Sequence, residues 1–133
     1  VLVDKDTGVN QEVVKKLMDD VDDRAAAIYS TWTRFESEYR ERQAAAEAYK
    51  SANYEGECSR YISDFAQRAR LDNKTATNLI LTQAAGLKKL QMELANQRMR
   101  KYELKHEELS EEELQQIHND IIRKMKALAE AQQ

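Results

Sequence analysis

Apolar and aromatic residues recur at alternating steps of four and three along the first third of the chain. The positions are Val14, Met18, Val21, Ala25, Ile28, Trp32, Phe35, Tyr39, Arg42, Ala46 and Tyr49, of which only Arg42 is charged. A mean step of about 3.5 residues places such a stripe along one side of a helix, as in the seam of left-handed helix–helix packing. The pattern predicts one unbroken, coiled-coil-like helix from about Gln11 to about Ala52, with its apolar edge covered by neighbouring helices.

A short helix is predicted after the first interruption of this pattern. Asn53–Gly56 breaks the periodicity and indicates a turn. Ser59 is of the residue type preferred at helix N-caps, which predicts a helix from about Arg60 to Ala69. A second break follows at Arg70–Asn73.

Two further helices are predicted in the rest of the chain. The third runs from about Lys74 to about Leu109, and its drifting stripe indicates either a change of packing partners or a bend near Gly86. Ser110 and Glu113 have the spacing of a capping box, which predicts a fourth helix from Glu111 to about Ala131. The seam of this helix comprises Leu114, Ile117, Ile121, Met125 and Leu128.

Composition supports an all-α protein. The chain of 133 residues has no proline and three glycines, and 34% of its residues are charged. We expect one elongated helical bundle over residues 1–133, with a long helix at 11–52, a helix-turn-helix-like segment at 58–82 and a helical hairpin at 83–133. Because bulky apolar residues are few, we expect a second copy or a helical partner to cover part of the stripe, or else packing within the chain. The predicted interface residues are Val21, Ile28, Trp32, Phe35, Tyr39 and Tyr49.

Charge is distributed unevenly along the chain. The net charge is −5 over residues 1–57, +6 over residues 58–106 and −4 over residues 107–133. A basic middle between acidic ends is the part of the chain to which a nucleic-acid or acidic partner would bind. The basic residues of the third helix are Lys88, Lys89, Arg98, Arg100, Lys101 and Lys105. They either follow a phosphate backbone or form a solvated face that pairs with the acidic flank of the first helix.

Residues 62–80 resemble a helix-turn-helix. Ala66, Leu71, Ala76 and Leu79 stand at the spacings that this motif uses for its small and apolar inward positions. The resemblance implies a nucleic-acid contact face on the second helix of the motif, with phosphate contacts added from around the turn. The predicted nucleic-acid-binding residues are Arg60, Arg68, Arg70, Lys74, Thr75, Thr77, Asn78, Lys88 and Lys89. Arg70 is a departure from the motif, which usually has glycine at this position; if the backbone is left-handed there, arginine is strained by about 1 kcal/mol.

The sequence offers little support for catalysis. Glu103 and His106 form a single Glu-x-x-His pair, and Cys58 has no histidine near it in sequence. There is no glycine-rich phosphate loop, nucleophile elbow or zinc-ligand spacing. We therefore expect no enzyme activity, cofactor, metal site or small-molecule substrate. With one cysteine and no run of about 18 apolar residues, we expect a cytoplasmic protein that does not span a membrane.

Two stretches resemble the small, DNA-recognising subunit of tailed-phage terminases. The first, Ala27–Glu36, is similar to an aromatic helix of one branch of that family. The second, Ala84–Leu94, is similar to the family's later leucine-rich helix. The resemblance implies a ring-forming, non-enzymatic protein that brings viral DNA to a packaging motor.

Two functions are consistent with these patterns. The first is a nucleic-acid-binding helical oligomer, such as a phage DNA-packaging or DNA-recognition subunit, which uses the basic middle of the chain. The alternative is a structural or adaptor bundle whose helical seams mediate protein–protein assembly. A ligand-binding or metal-binding bundle is supported only by the aromatic residues and by Glu103 with His106.

Overall fold

The described part of the chain is built from α-helices with one short 3₁₀ segment. The computed structural model describes residues 2–106 and 108–131, with side chains from residue 11 onward, and no strand occurs among them. The helices are α1 (Leu2–Trp32), α2 (Glu36–Ser51), α3 (Arg60–Ala69), α4 (Asn73–Met99) and α5 (Glu111–Ala131), and the 3₁₀ segment is Arg100–Lys105. The predicted all-α fold class is confirmed. None of the helices described is both long enough and apolar enough to cross a membrane.

The chain forms two compact units. The first consists of Val1–Thr31 together with Leu90–Gln133, and the second of Trp32–Lys89. The helix-turn-helix-like segment lies entirely in the second unit.

The long first helix is interrupted, so the prediction of an unbroken helix from Gln11 to Ala52 is wrong. Thr33–Phe35 form a turn, in which Phe35 has φ −120° and ψ 38°. The sequence there is rich in threonine and aromatic residues, whose side chains lose rotamer freedom in a helix. Glu36 and Glu38 then occupy the first turn of α2, where the helix dipole favours acidic side chains. The start also differs, because α1 begins at Leu2.

Small residues dominate the core of the second unit. Ala46 of α2, Ile62 and Ala66 of α3, and Ala76 and Ile80 of α4 are all buried in one cluster. Alanine at three of these positions allows the helix backbones to approach closely. The predicted bounds of α3 are confirmed, and Ser59 Oγ accepts from Tyr61 N at 3.2 Å as its N-cap.

The first unit has its own core, to which α5 contributes most of its predicted seam. Leu17, Leu104 and Leu114 form a buried cluster. Ile121 and Met125 are likewise buried, at 0% and 1% exposure. The predicted bounds of α5 are confirmed.

The capping box at the start of α5 is also confirmed. Glu113 N donates to Ser110 Oγ at 3.1 Å, and Ser110 N donates to Glu113 Oε1 at 3.2 Å. These reciprocal bonds satisfy two of the amide groups that a helix start leaves unpaired.

The third predicted helix ends ten residues early. It is helical through Gly86 but stops at Met99, after which the 3₁₀ segment Arg100–Lys105 follows and His106 is extended. Residues three apart share a face in a 3₁₀ helix, so Lys101 and Leu104 both face inward and are buried. The tighter winding of this segment is accompanied by full burial of Leu104, which packs beside Leu17 and Leu114.

Candidate nucleic-acid interface

The turn between α3 and α4 has a left-handed residue at its centre. Arg70 adopts φ 59° and ψ 45°, so arginine has the left-handed conformation at the position where the motif usually has glycine. Leu71 N donates to Ala66 O at 2.8 Å, closing the C-terminus of α3 in a Schellman arrangement. Leu71 then packs against the buried cluster of the second unit. These contacts of the turn therefore fix the direction in which the chain continues from α3 into α4.

Asp72 begins α4 as its N-cap. Its Oδ1 accepts from Thr75 N at 2.6 Å, and the helix starts at Asn73, one residue before the predicted position. Hydrogen bonds from Thr75 hold the pKa of the Asp72 carboxyl below its usual value. The first turn of α4 is thus anchored by its own cap.

One side of α4 carries exposed polar and basic side chains. At about 100° per residue, Lys74, Asn78 and Lys88 project from the same side, over about 21 Å of helix. All three are exposed, as are Thr75 and Lys89. These residues match the contact face that the sequence predicts.

Thr77 is not part of this face, and its prediction as a nucleic-acid contact is wrong. It is 0% exposed, and its Oγ1 donates to Asn73 O at 2.7 Å. At 100° per residue Thr77 lies on the side of Ile80, which packs in the core. Ile80 also takes the inward role expected of Leu79, which is 38% exposed.

Tyr54, in the loop between α2 and α3, contacts two residues of the exposed face. Its hydroxyl donates to Asn78 Oδ1 at 2.8 Å, and Lys74 Nζ lies 5.1 Å from its ring centroid. Tyr54 is not among the residues predicted from the sequence, because nothing in a loop sequence indicates which helix its side chain reaches. The one signal for Tyr54 in the sequence is its position just before the predicted motif.

Some of the predicted basic residues form ion pairs or hydrogen bonds within the chain, and others do not. Arg60 pairs with Asp64 at 3.1 Å, and Arg68 Nη1 donates to Asp64 O at 3.4 Å. Arg70, Lys88 and Lys89 are exposed, and we find no ion pair for them in the part of the chain that the structure describes. They are available to an anionic partner.

Among the predicted basic residues beyond Leu90, Arg98, Arg100 and Lys101 are instead paired internally, whereas Lys105 is exposed and its ammonium lies 5.8 Å from the Tyr102 ring centroid. Asp22 of α1 accepts from Arg98 Nε at 2.8 Å and from Lys101 Nζ at 2.9 Å. Arg100 donates to Glu103 and to Asp120, the latter at 2.8 Å. This confirms, for Arg98 and Lys101, the alternative that these residues pair with the acidic flank of the first helix. The predicted basic side chains that remain without an ion pair among the described residues therefore lie mainly in the second unit, at Arg70, Lys74, Lys88 and Lys89.

The predicted partner interface is only partly exposed. Val21 and Trp32 are 0% and 4% exposed, so both are core residues of the chain and their assignment to an interface is wrong. Ile28 and Tyr49 are half-buried. Phe35 and Tyr39 are exposed, with ring centroids 6.3 Å apart in an edge-to-face arrangement.

Glu103 and His106 do not form a metal-binding pair. Glu103 accepts from Arg100, while His106 is exposed in an extended segment. Within the described ranges, no three His, Cys, Asp or Glu side chains are grouped so that they could hold a metal ion. Cys58 is half-buried, and burial raises the pKa of its thiol.

An open groove of about 840 Å³ lies in the first unit. Its apolar lining includes Val14, Met18 and Leu109. Its polar lining contains lysines as well as the carboxylates Asp19 and Glu108. This mixture of charges does not favour a ligand of either sign.

A similarity to a phage protein extends along nearly the whole chain. No family model matches the chain, and no solved structure matches it. The chain is 67% identical over 130 residues to an uncharacterized 23.3 kDa protein in the lys 3′ region of Haemophilus phage HP1 (strain HP1c1). The match covers 98% of this chain and 65% of that protein, so the chain spans less than two thirds of the relative's length. The chain is thus similar, along nearly all of its own length, to a phage protein, and this is consistent with a phage origin.

Proposed function

We propose that this chain is a non-enzymatic nucleic-acid-binding subunit of a phage and that it contacts duplex DNA through α3, the turn and the exposed side of α4. The proposal rests mainly on the contrast between the two basic regions. Arg98, Arg100 and Lys101 are paired with carboxylates inside the first unit. The basic side chains at the turn and along α4 remain exposed.

The spacing of these cations suits a phosphate backbone. Arg70 lies at the turn and Lys74 in the first turn of α4, while Lys88 and Lys89 lie about 21 Å further along the helix. Lysine and arginine at such positions release counterions when they neutralise phosphates, and this drives binding. The resemblance to terminase small subunits and the similarity to a phage protein support the more specific role of DNA recognition during packaging.

Fluorescence anisotropy with a labelled mixed-sequence DNA duplex tests the proposal. Four phosphate contacts predict a slope of about −3.6 for log K against log salt, which is about a 150-fold loss of affinity between about 50 and about 200 mM salt. Failure of the intact chain to bind duplex DNA at the lower salt concentration would overturn the proposal.

A matched pair of double variants locates the contact surface. Lys88→Ala with Lys89→Ala removes two exposed cations and should reduce the salt slope to about −1.8. Lys15→Ala with Lys16→Ala removes an equivalent adjacent exposed pair from α1, and it should leave the slope unchanged. Equal effects of the two double variants would show that binding depends on total charge and not on this surface.

Self-association is a second proposed function, and it is favoured by the aromatic pair at the start of α2. Phe35 and Tyr39 are 52% and 40% exposed, and the Arg34 guanidinium lies 5.5 Å from the Phe35 ring centroid. Exposed aromatic side chains beside arginine are typical of the residues that carry binding energy at protein interfaces. A second copy of the chain or a helical protein is the proposed partner.

Sedimentation velocity tests this second proposal. The unmodified chain should sediment as an oligomer, and Phe35→Ala with Tyr39→Ala should shift it toward the monomer. Tyr102→Ala is the control, because Tyr102 is equally exposed but lies in the first unit. A monomer for the unmodified chain at high concentration would contradict self-association.

A further inference from the structure

Tyr54 has a backbone conformation that is unfavourable for an aromatic residue. Its φ is 60°, directly after Asn53 at 58°, and the left-handed region costs a residue with a side chain about 1–2 kcal/mol. Tyr54 N donates to Tyr49 O at 2.9 Å, which closes the C-terminus of α2. The loop geometry therefore directs the ring of Tyr54, and the surrounding contacts must hold it.

Three contacts hold the Tyr54 side chain across the start of α4. The Tyr49 ring packs edge-to-face against it at 5.8 Å between centroids. The Lys74 ammonium lies 5.1 Å from its centroid on the α4 side, and the hydroxyl donates to Asn78 Oδ1 at 2.8 Å. One loop residue thus fixes the positions of two polar side chains on the exposed face of α4.

The hydroxyl contact also shifts the balance of hydrogen-bonding groups on the face toward donors. The Tyr54 hydroxyl engages one of the two lone pairs of Asn78 Oδ1, so the amide keeps two Nδ2 hydrogens as donors and a single acceptor lone pair. Lys74 presents only donors. In the major groove, guanine offers two acceptors, O6 and N7, whereas adenine offers N7 as an acceptor and its amino group as a donor. The usual bidentate contact of asparagine with adenine needs the amide oxygen as an acceptor, so Oδ1 would have to accept from the adenine amino group and from the Tyr54 hydroxyl at the same time.

We propose that Tyr54 is a positioning residue that biases the exposed face of α4 toward guanine and away from adenine. The proposal rests on the proposed binding of duplex DNA by α3 and α4. Its partner is a G·C-containing duplex contacted in the major groove. Neither the sequence motif nor the phosphate contacts would produce this preference.

Two labelled duplexes of equal length test it, one with only G·C pairs and one with only A·T pairs. Both are free of homopolymer runs, so that differences in minor-groove width are small. The unmodified chain should bind the G·C duplex about fivefold or more tightly, as expected for one good base contact. Tyr54→Phe keeps the ring and removes only the hydroxyl, and it should lower this ratio at least about threefold while the salt slope is retained.

Asn78→Ala provides a second variant, which leaves the loop sequence unchanged and removes the acceptor of the Tyr54 hydroxyl. It should bring the ratio close to one and leave the helix content and melting temperature nearly unchanged, because Asn78 is exposed. A merely structural role of Tyr54 would change stability but not the ratio of the two affinities.

The outcomes separate this proposal from the one on which it depends. Salt-dependent binding with no G·C preference, or a preference that Tyr54→Phe and Asn78→Ala both leave intact, overturns the role of Tyr54 and leaves duplex binding standing. Failure of the unmodified chain to bind either duplex overturns both.

Discussion

His118 Nε2 lies 2.6 Å from Asp20 Oδ2, a contact that joins α5 to α1 within the first unit. The same carboxylate oxygen accepts from Arg24 Nε at 2.9 Å. His118 is 9% exposed, so the carboxylate supplies a partner that solvent could not fully replace. Partial burial by itself raises the pKa of the Asp20 carboxyl, but the hydrogen bonds from His118 and Arg24 outweigh it and hold the pKa below its usual value.

Removing this carboxylate should destabilise the protein. Asp20→Ala leaves the His118 ring buried without its main partner, at a cost of about 1–3 kcal/mol for such a group. Because Asp20 is itself partly exposed, we expect a loss of about 1 kcal/mol in the free energy of unfolding, measured by urea titration. Asp19→Ala is the control, since Asp19 is exposed, and it should change stability by less than about 0.5 kcal/mol. Equal losses in the two variants would contradict a specific role for the Asp20–His118 contact.

Stability should fall in acid because several aspartates have lowered pKa values. Burial raises the pKa of Asp22, but hydrogen bonds from Lys101 and Arg98 lower it further than burial raises it. Hydrogen bonds from Arg100 and Lys124 lower that of Asp120 strongly. The unfolded chain then binds more protons than the folded chain, so stability rises with pH in that range. These aspartates contribute fully to stability when the pH is above the usual aspartate pKa of 3.8. Their contribution is lost as the pH falls through the lower pKa values that they have in the folded chain.

Urea midpoints measured between neutral pH and about pH 3 test this dependence. Asp22→Asn should be less stable than the unmodified chain at neutral pH and should lose less stability on acidification. Asp23→Asn should follow the unmodified chain, because Asp23 is exposed. Parallel pH curves for the unmodified chain and Asp22→Asn would show that Asp22 does not contribute.

Arg70→Gly should increase stability while weakening the proposed binding of DNA. Glycine adopts φ 59° without the steric cost that arginine incurs, so we expect a gain of about 1 kcal/mol. The variant also removes one cation at the turn, which should reduce the salt slope of duplex binding by about 0.9. Arg70→Ala should reduce the slope equally without the gain in stability. A gain in stability from Arg70→Ala would show that the backbone conformation is not the cause.

Helices defined by local signals were predictable from the sequence, and the interruption of the first helix was not. Ser59 begins α3, and the Ser110–Glu113 box begins α5, because capping depends on residues within one turn of each other. The stripe through Trp32, Phe35 and Tyr39 keeps its spacing across the break, so periodicity alone gives no sign of it. The available signals were the threonine- and aromatic-rich sequence before the break and the acidic first turn of α2 after it.

The candidate site was predictable as a segment but not in its tertiary contacts. The motif spacing correctly identified Lys74 and Asn78 as exposed residues at the start of α4. Tyr54 is 24 residues from Asn78, and His118 is 98 residues from Asp20. Contacts over such separations depend on how helices pack, which neither periodicity nor capping specifies. The inward position of Thr77 likewise depends on the face that α4 turns toward α3.

Thr77→Val tests which side of α4 contacts DNA. The sequence predicts that Thr77 belongs to the contact face, whereas the structure buries it. Thr77 is fully buried, and valine has nearly the same shape, so the variant should fold with a stability change of less than about 1 kcal/mol. Its affinity for duplex DNA should equal that of the unmodified chain, since the side chain cannot reach a partner. Lys74→Ala, three residues away on the exposed side, should weaken binding and reduce the salt slope by about 0.9. If Thr77→Val weakened duplex binding as much as Lys74→Ala while remaining folded, the contact face of α4 would have to lie on the side that the structure buries, and the proposed interface would be wrong.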